Sequence, residues 1–258
     1  MTRTSAAWSL TIGGPREGFG KCQMAPVRRR LCRHYPRGMD RDRGQHPYAT
    51  ARARMLDRQL RSRGVHDPRV LAAMAIVPRE RFVPPGEQGR AYADRALPAG
   101  AGQTISQPFM VGLMLQLLAP DPGDCVLDIG TGTGYQAAVL AAMGCAVTGI
   151  ERIAELATAA RTRLAELGFG DRVEVRVGDG SLGDPSGAPW PRIVVTAAAP
   201  AIPVALTEQL ADRGRLVIPV GARREQELLL VERHGERLAQ SKHGPCVFIP
   251  LVGAAGWT

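Results

Sequence analysis

The stretch VLDIGTGTGYQ, residues 126–136, decides the reading of the chain. A short apolar run ends in an acid, Asp128, and three glycines follow at alternate positions: Gly130, Gly132 and Gly134. A brief apolar run bounded by turn residues reads as a buried strand. Glycines after it permit positive φ and let a ligand lie against bare backbone. The helical pattern YQAAVLAAMG comes next, so the glycines form a strand-to-helix turn.

Working outward, the same rhythm repeats. CVLDIG, AVTGIE, VEVRVGDG, RIVVTAAA and RLVIPVG read as five strands, and QELLLVER and CVFIPLVG as the last two. Between them, IAELATAARTRLAELG puts Ile153, Leu156, Ala160, Leu164 and Leu167 on one helical face, and IPVALTEQLADRG reads as a further helix. Strands alternating with helices imply an α/β fold with a seven-stranded, mostly parallel sheet covered on both sides. Residues 120–258 make up this domain.

Residues 44–119 are expected to form an N-terminal helical segment on the substrate side. ATARARMLDRQLRSRG places Met55, Leu56 and Leu60 at helical spacing and stops at Gly64. In DPRVLAAMAIVP, Asp67 suits the cap, Pro68 the first turn and Pro78 the stop. RFVPPGEQGRAYADRALPAGAGQ is turn-rich and reads as loop with short elements. SQPFMVGLMLQLLA is a helix with Ser106 as its expected cap.

The 258 residues, 45% of them hydrophobic, suit a globular core. No apolar run approaches the roughly 20 residues of a membrane-spanning helix, and no secretory signal is evident. Cys22, Cys32, Cys125, Cys145 and Cys246 are odd in number and form no CxxC pair. Neither a disulfide framework nor a metal site is expected, and a reduced, cytoplasmic protein is. The net charge is +9, but residues 1–43 hold nine arginines and one lysine against three acids. Seven of the nine charges therefore sit in a Gly-, Pro- and Arg-rich tail that reads as disordered. Three readings of the tail stay open: a passive extension, a product of start-site choice with Met24 or Met39 as alternatives, or an arm for nucleic acid.

The turn itself narrows the ligand. Counting from Gly130 as the first position, the sixth is Tyr135, so the dinucleotide pattern GxGxxG is broken, and no lysine follows to hold phosphates. An acid at Asp128 instead suits a ligand with positive charge. S-adenosylmethionine carries an ammonium and a sulfonium. Glu151 ends the second strand, where ribose hydroxyls are met. Asp179 ends the third, in reach of an adenine amino group. Taken singly each acid could be a loop or cap carboxylate; three at successive strand ends point to a nucleoside. The expected cofactor-binding set is Asp128, Gly130, Thr131, Gly132, Gly134, Glu151, Asp179 and Gly180.

With VPRERFVPP, AYADRALPAGAGQTISQP, VLDIGTGTGYQ, GIER, GDG, VTAAAP, GRLVIPVG and VFIPLVG all in place, residues 48–253 resemble the protein-L-isoaspartate O-methyltransferase family. The resemblance implies a Rossmann-like class I methyltransferase sheet and S-adenosylmethionine as methyl donor. It implies as substrates isoaspartyl-containing proteins and peptides, methylated on the free carboxylate as the start of repair through a succinimide. It marks the serine of TISQP, here Ser106, as the catalytic residue, with Ser106, Gln107, Thr196 and Ala197 on the substrate side. A monomer that meets no membrane, and nucleic acid only through its tail, is expected. Two departures from the family pattern stand out. Asp184 replaces an aromatic after GDGSLG, and Pro191 follows Trp190 where an Asp is usual. Two alternatives remain at this point: an aspartyl O-methyltransferase that matures a ribosomally made peptide, or a non-catalytic cofactor- or protein-binding module.

Overall fold

The computed structural model describes residues 47–258; the tail over residues 1–43 lies outside the described residues. Helix α1 (Ala49–Met55) runs into a π-helical turn (Leu56–Leu60) and a 3-10 turn (Arg61–Arg63), and Gly64 closes it at φ +93°. Helix α2 (Pro68–Ile76) starts as expected: the Asp67 carboxylate accepts from the Arg69 amide at 2.8 Å. After two 3-10 turns, β1 (Leu97–Gly100) and β2 (Gln103–Ile105) form a small hairpin within the stretch read as loop. Helix α3 (Pro108–Leu118) follows.

The main sheet is built from β3 (Cys125–Ile129), β4 (Ala146–Glu151), β5 (Val173–Val177), β6 (Trp190–Val195), β7 (Leu210–Ala222), β8 (Glu225–His234) and β9 (Arg237–Cys246). Helices α4 (Tyr135–Ala142), α5 (Ala154–Glu166) and α6 (Val204–Glu208) connect the parallel strands. The strand order is β5-β4-β3-β6-β7-β8-β9, with β8 antiparallel to both of its neighbours and all other pairs parallel. The seven-stranded, mostly parallel sheet is as expected. From β3 the chain moves outward to β4 and β5 on one side, and then crosses back from β5 to β6 on the other side of β3. A crevice therefore opens at the carboxyl end of β3, where ligands of such sheets bind.

All five residues of β3 are buried, because apolar layers cover both sheet faces. Val126 joins one layer with α1–α5, while Leu127 and Ile129 join the other with Trp190, Ile193 and Leu206. Alternation along one strand thus serves two cores. The N-terminal helices share the first core with the sheet domain, so Met55, Leu60, Met74 and Met114 are sealed from water.

Two expectations need correction. Residues 210–214, read as the end of a helix, belong to β7: α6 stops at Glu208, and the pairing of β7 with β6 shifts register between Trp190 and Arg192. The seventh strand is not CVFIPLVG but β9, RLAQSKHGPC, an edge strand in which only Cys246 is buried. Polar edges resist pairing with other chains but hide the strand from a hydrophobic-pattern reading. Among the described residues, Cys145 and Cys246 are free and buried.

Candidate active site

At the end of β3 the chain turns through Gly130, Gly132 and Gly134 with φ of +78°, +55° and +87°. A Cβ on Gly130 would meet the Thr196 hydroxyl at 2.9 Å. The turn is pinned from below and from the side. Gly130 N–H donates to the Ile150 carbonyl at 2.9 Å, and Gly132 N–H donates to Oε2 of Glu151 at 2.9 Å. Glu151 Oε1 accepts from the Ile153 amide, also at 2.9 Å. Thr131 donates to the Asp128 carbonyl, and Thr196 to the carbonyls of Ile129 and Gly130.

A cavity of about 170 Å³ opens above this turn. Ser106, Gly130, Thr131, Gly132, Glu151, Gly180, Thr196 and Ala197 all line it. So do the β1–β2 hairpin at residues 102–105 and the C-terminal residues 249–252. A second groove of about 400 Å³ adjoins it, walled by Arg63, Asp94, Arg95, Phe109, Met110, Cys246, Val247 and Phe248. Thr104, Ser106, Thr196 and Ile249 belong to both and form the boundary between them.

Four expected site residues stand outside the cavity. Gly134 caps α4 and packs against Leu164. Gln107 lines the second groove, with its amide donating to the Asp94 carboxylate at 2.7 Å. Asp179 lies two residues beyond the end of β5, where one oxygen accepts from the Ser181 amide and hydroxyl and the other from the Ala254 amide at 2.7 Å. Asp128 is fully buried beside the turn, and neither carboxyl oxygen has a hydrogen-bond partner. Burial pushes its pKa up to about 7; the nearby Thr131 hydroxyl opposes the shift and the charge of Glu151 adds to it.

Ser106 does not cap α3. The cap position is Gln107, and no side chain bonds there. The Ser106 hydroxyl has no hydrogen-bond partner among the described residues, while its carbonyl accepts from Arg79 at 2.7 Å. The two departures from the family pattern lie away from the cavity and the groove. Asp184 binds Arg176 at 2.8 Å and the Ser186 amide and hydroxyl, and its carbonyl accepts from the indole of buried Trp190 at 2.9 Å. Pro191 simply precedes Arg192, which reaches Asp124 at 3.4 Å.

Sequence reading missed Gln136. It lines the cavity, is only 6% exposed, and both of its amide atoms lack partners. Buried amides are almost always bonded, so an orphaned one facing a cavity marks ligand space. A bare turn, an acid on the rim and a buried amide fit a cationic amino-acid nucleoside. They do not fit a phosphate group, since Arg152 is the one cation in the lining. Among the described residues no group of three or more His, Cys, Asp or Glu side chains could hold a metal ion, and no helix is long and apolar enough to cross a membrane.

The comparisons agree with this geometry. Residues 51–256 match the family model of protein-L-isoaspartate(D-aspartate) O-methyltransferase. A protein-L-isoaspartate O-methyltransferase of Methanoregula boonei is 52% identical over 212 residues, covering 82% of this chain and 97% of its own. That of Methylorubrum populi is 55% identical over 210 residues, covering 80% and 98%. A solved protein-L-isoaspartate O-methyltransferase superposes with a TM-score of 0.71 at 28% identity, over 80% of this chain and 67% of that one. A Plasmodium falciparum structure solved with S-adenosyl-L-homocysteine shares the fold at a TM-score of 0.66 and 22% identity, over 77% and 96%. With four-fifths of its length matched and relatives identical at more than half of the aligned positions, the chain belongs to the protein-L-isoaspartate(D-aspartate) O-methyltransferase family.

Proposed function

We propose that this chain transfers the methyl group of S-adenosylmethionine to the free carboxylate of L-isoaspartyl residues in proteins and peptides, with Ser106 placing that carboxylate. The carrying observation is the position of Ser106 on the boundary shared by the glycine-floored cavity and the second groove. S-adenosylmethionine supplies an electrophilic methyl on a sulfonium. The cavity is assigned to it, with Glu151, Gly132 and Gly180 on the nucleoside side and the Gln136 amide and the charge of Asp128 on the amino-acid side. The groove is assigned to the peptide.

The isoaspartyl carboxylate is an anion at neutral pH. One of its oxygens forms the new bond to carbon while the sulfur leaves with the electron pair, so no proton moves and no general base is needed. What the protein supplies is alignment. The unpartnered Ser106 hydroxyl donates to one carboxylate oxygen and leaves the other to react. Thr104, Thr196 and Ile249 complete the boundary around it.

Family membership supports the isoaspartyl substrate, and nothing in the comparisons supports peptide maturation or a non-catalytic module. We further assign the protein to the cytoplasm as a monomer. Labelled methyl transfer to an isoaspartyl peptide, run beside its aspartyl isomer, tests the reading. Labelling of the isoaspartyl peptide alone is expected. Equal labelling of both, or of the aspartyl peptide alone, overturns the substrate assignment, and cofactor binding without labelling of either overturns the activity.

A further inference from the structure

We propose that Arg79 is a positioning residue that sets the place of the Ser106 hydroxyl, an inference that rests on the role of Ser106 given above. Arg79 is fully buried in the 3-10 turn Arg79–Phe82. Its Nε donates to the Ala91 carbonyl at 2.7 Å and its Nη2 to the Ser106 carbonyl at 2.7 Å. The guanidinium carbon lies 4.8 Å from the ring centroid of Tyr135, which starts α4 and lines the cavity. Phe82 meets the same ring edge-on at 5.4 Å. One side chain thus joins the loop at residue 91, the Ser106 segment and the first turn of the helix under the cavity.

Stability alone does not account for such a residue. Burial draws the Arg79 pKa down, yet a guanidinium stays protonated, so a whole positive charge is taken out of water. No carboxylate is among its hydrogen-bond partners, and Nη1 has none. An apolar side chain of similar length would fill the space at a lower desolvation cost. What an apolar side chain cannot do is grip two carbonyls with a rigid fork. Serine has one heavy-atom side-chain torsion with three staggered wells, so a held backbone leaves its hydroxyl oxygen only three places. Fixing the Ser106 carbonyl therefore limits the hydroxyl to those places relative to the cavity, and the Tyr135 contact ties them to the cofactor-side helix.

The test is a double-mutant cycle in the full chain. Arg79→Lys, Ser106→Ala and the double variant are compared by kcat and KM on an isoaspartyl peptide, with melting temperature and S-adenosylhomocysteine affinity measured alongside. Ser106→Ala keeps the carbonyl that Arg79 holds. Arg79→Lys is expected to lower kcat about tenfold, with the S-adenosylhomocysteine affinity unchanged, and to add nothing further in the Ser106→Ala background. Losses that multiply in the double variant, or a wild-type kcat in Arg79→Lys, overturn the proposal while leaving Ser106 in place. An unchanged kcat in Ser106→Ala removes the role of Ser106, and the proposal falls with it. If Arg79→Lys does not fold, Arg79→Gln, which keeps a donor without a buried charge, takes its place in the cycle with the same outcomes.

Discussion

Glu151 grips both sides of the cofactor turn: one carboxylate oxygen accepts from the Gly132 amide and the other from the Ile153 amide, each at 2.9 Å. The acid expected to face ribose hydroxyls is thus also a clasp of the turn itself. Glu151→Ala should weaken S-adenosylhomocysteine binding by 1.5–3 kcal/mol, about 10- to 100-fold, because charge-assisted hydrogen bonds are lost. It should lower the melting temperature as well, since two backbone donors lose their acceptor. Calorimetry and thermal melting on one preparation check both, and unchanged affinity places the ribose elsewhere.

Gln136 offers a prediction with opposite signs. Its amide is buried without partners, which costs stability while no ligand is bound. Gln136→Leu should keep or raise the melting temperature and yet weaken S-adenosylhomocysteine about tenfold, the worth of roughly one hydrogen bond. Methylthioadenosine, which lacks the amino-acid end, should bind as before. Equal weakening of both ligands would move Gln136 to the nucleoside side.

Asp128 gives the site a pH dependence. Burial lifts its pKa from 3.8 to about 7. Between roughly pH 4 and pH 7 the folded state therefore holds a proton that the unfolded state has lost, so this residue's contribution to stability falls as pH rises through that window and levels off above it. A ligand ammonium favours the ionised carboxyl. S-adenosylhomocysteine should bind about tenfold more tightly at pH 8 than at pH 6, following the ionised fraction. In Asp128→Asn the profile should be flat; a flat wild-type profile would separate Asp128 from the ligand.

Gly253 tests the C-terminal wall. A Cβ there would lie 2.0 Å from the Asp179 carboxylate, which holds the Ala254 amide. Gly253→Ala should displace residues 249–252 from the cavity, lowering both the melting temperature and cofactor affinity. Near-normal values for both would show that the wall adapts without loss.

Much of this was legible in the chain. Gly130, Gly132 and Glu151 announce themselves because strand, turn and acid lie close in sequence, and all three line the cavity. Met55, Leu60 and Met114 show their helical spacing for the same reason. Arg79 and Gln136 were not legible, since what matters about them is burial and a distant partner: the carbonyl that Arg79 holds belongs to Ser106. Strand β9 hid because an edge with Ser241, Lys242 and His243 has no apolar face to read. The Ser106 cap failed by one residue, within the usual uncertainty of a helix boundary, but that residue frees the hydroxyl for chemistry.

The boundary between cavity and groove has an order in time as well as in space. Its members are drawn from the β1–β2 hairpin and the segment after it, from the end of β6, and from the stretch beyond β9, as Thr104 and Ser106, Thr196 and Ile249. During synthesis the glycine turn and its acids leave the ribosome well before Ile249 does. A nascent chain that has made the glycine turn therefore still lacks the wall that separates methyl donor from acceptor. Competence for transfer arrives late, with residues 249–252, and a fragment ending at β8 lacks lining of both the cavity and the groove.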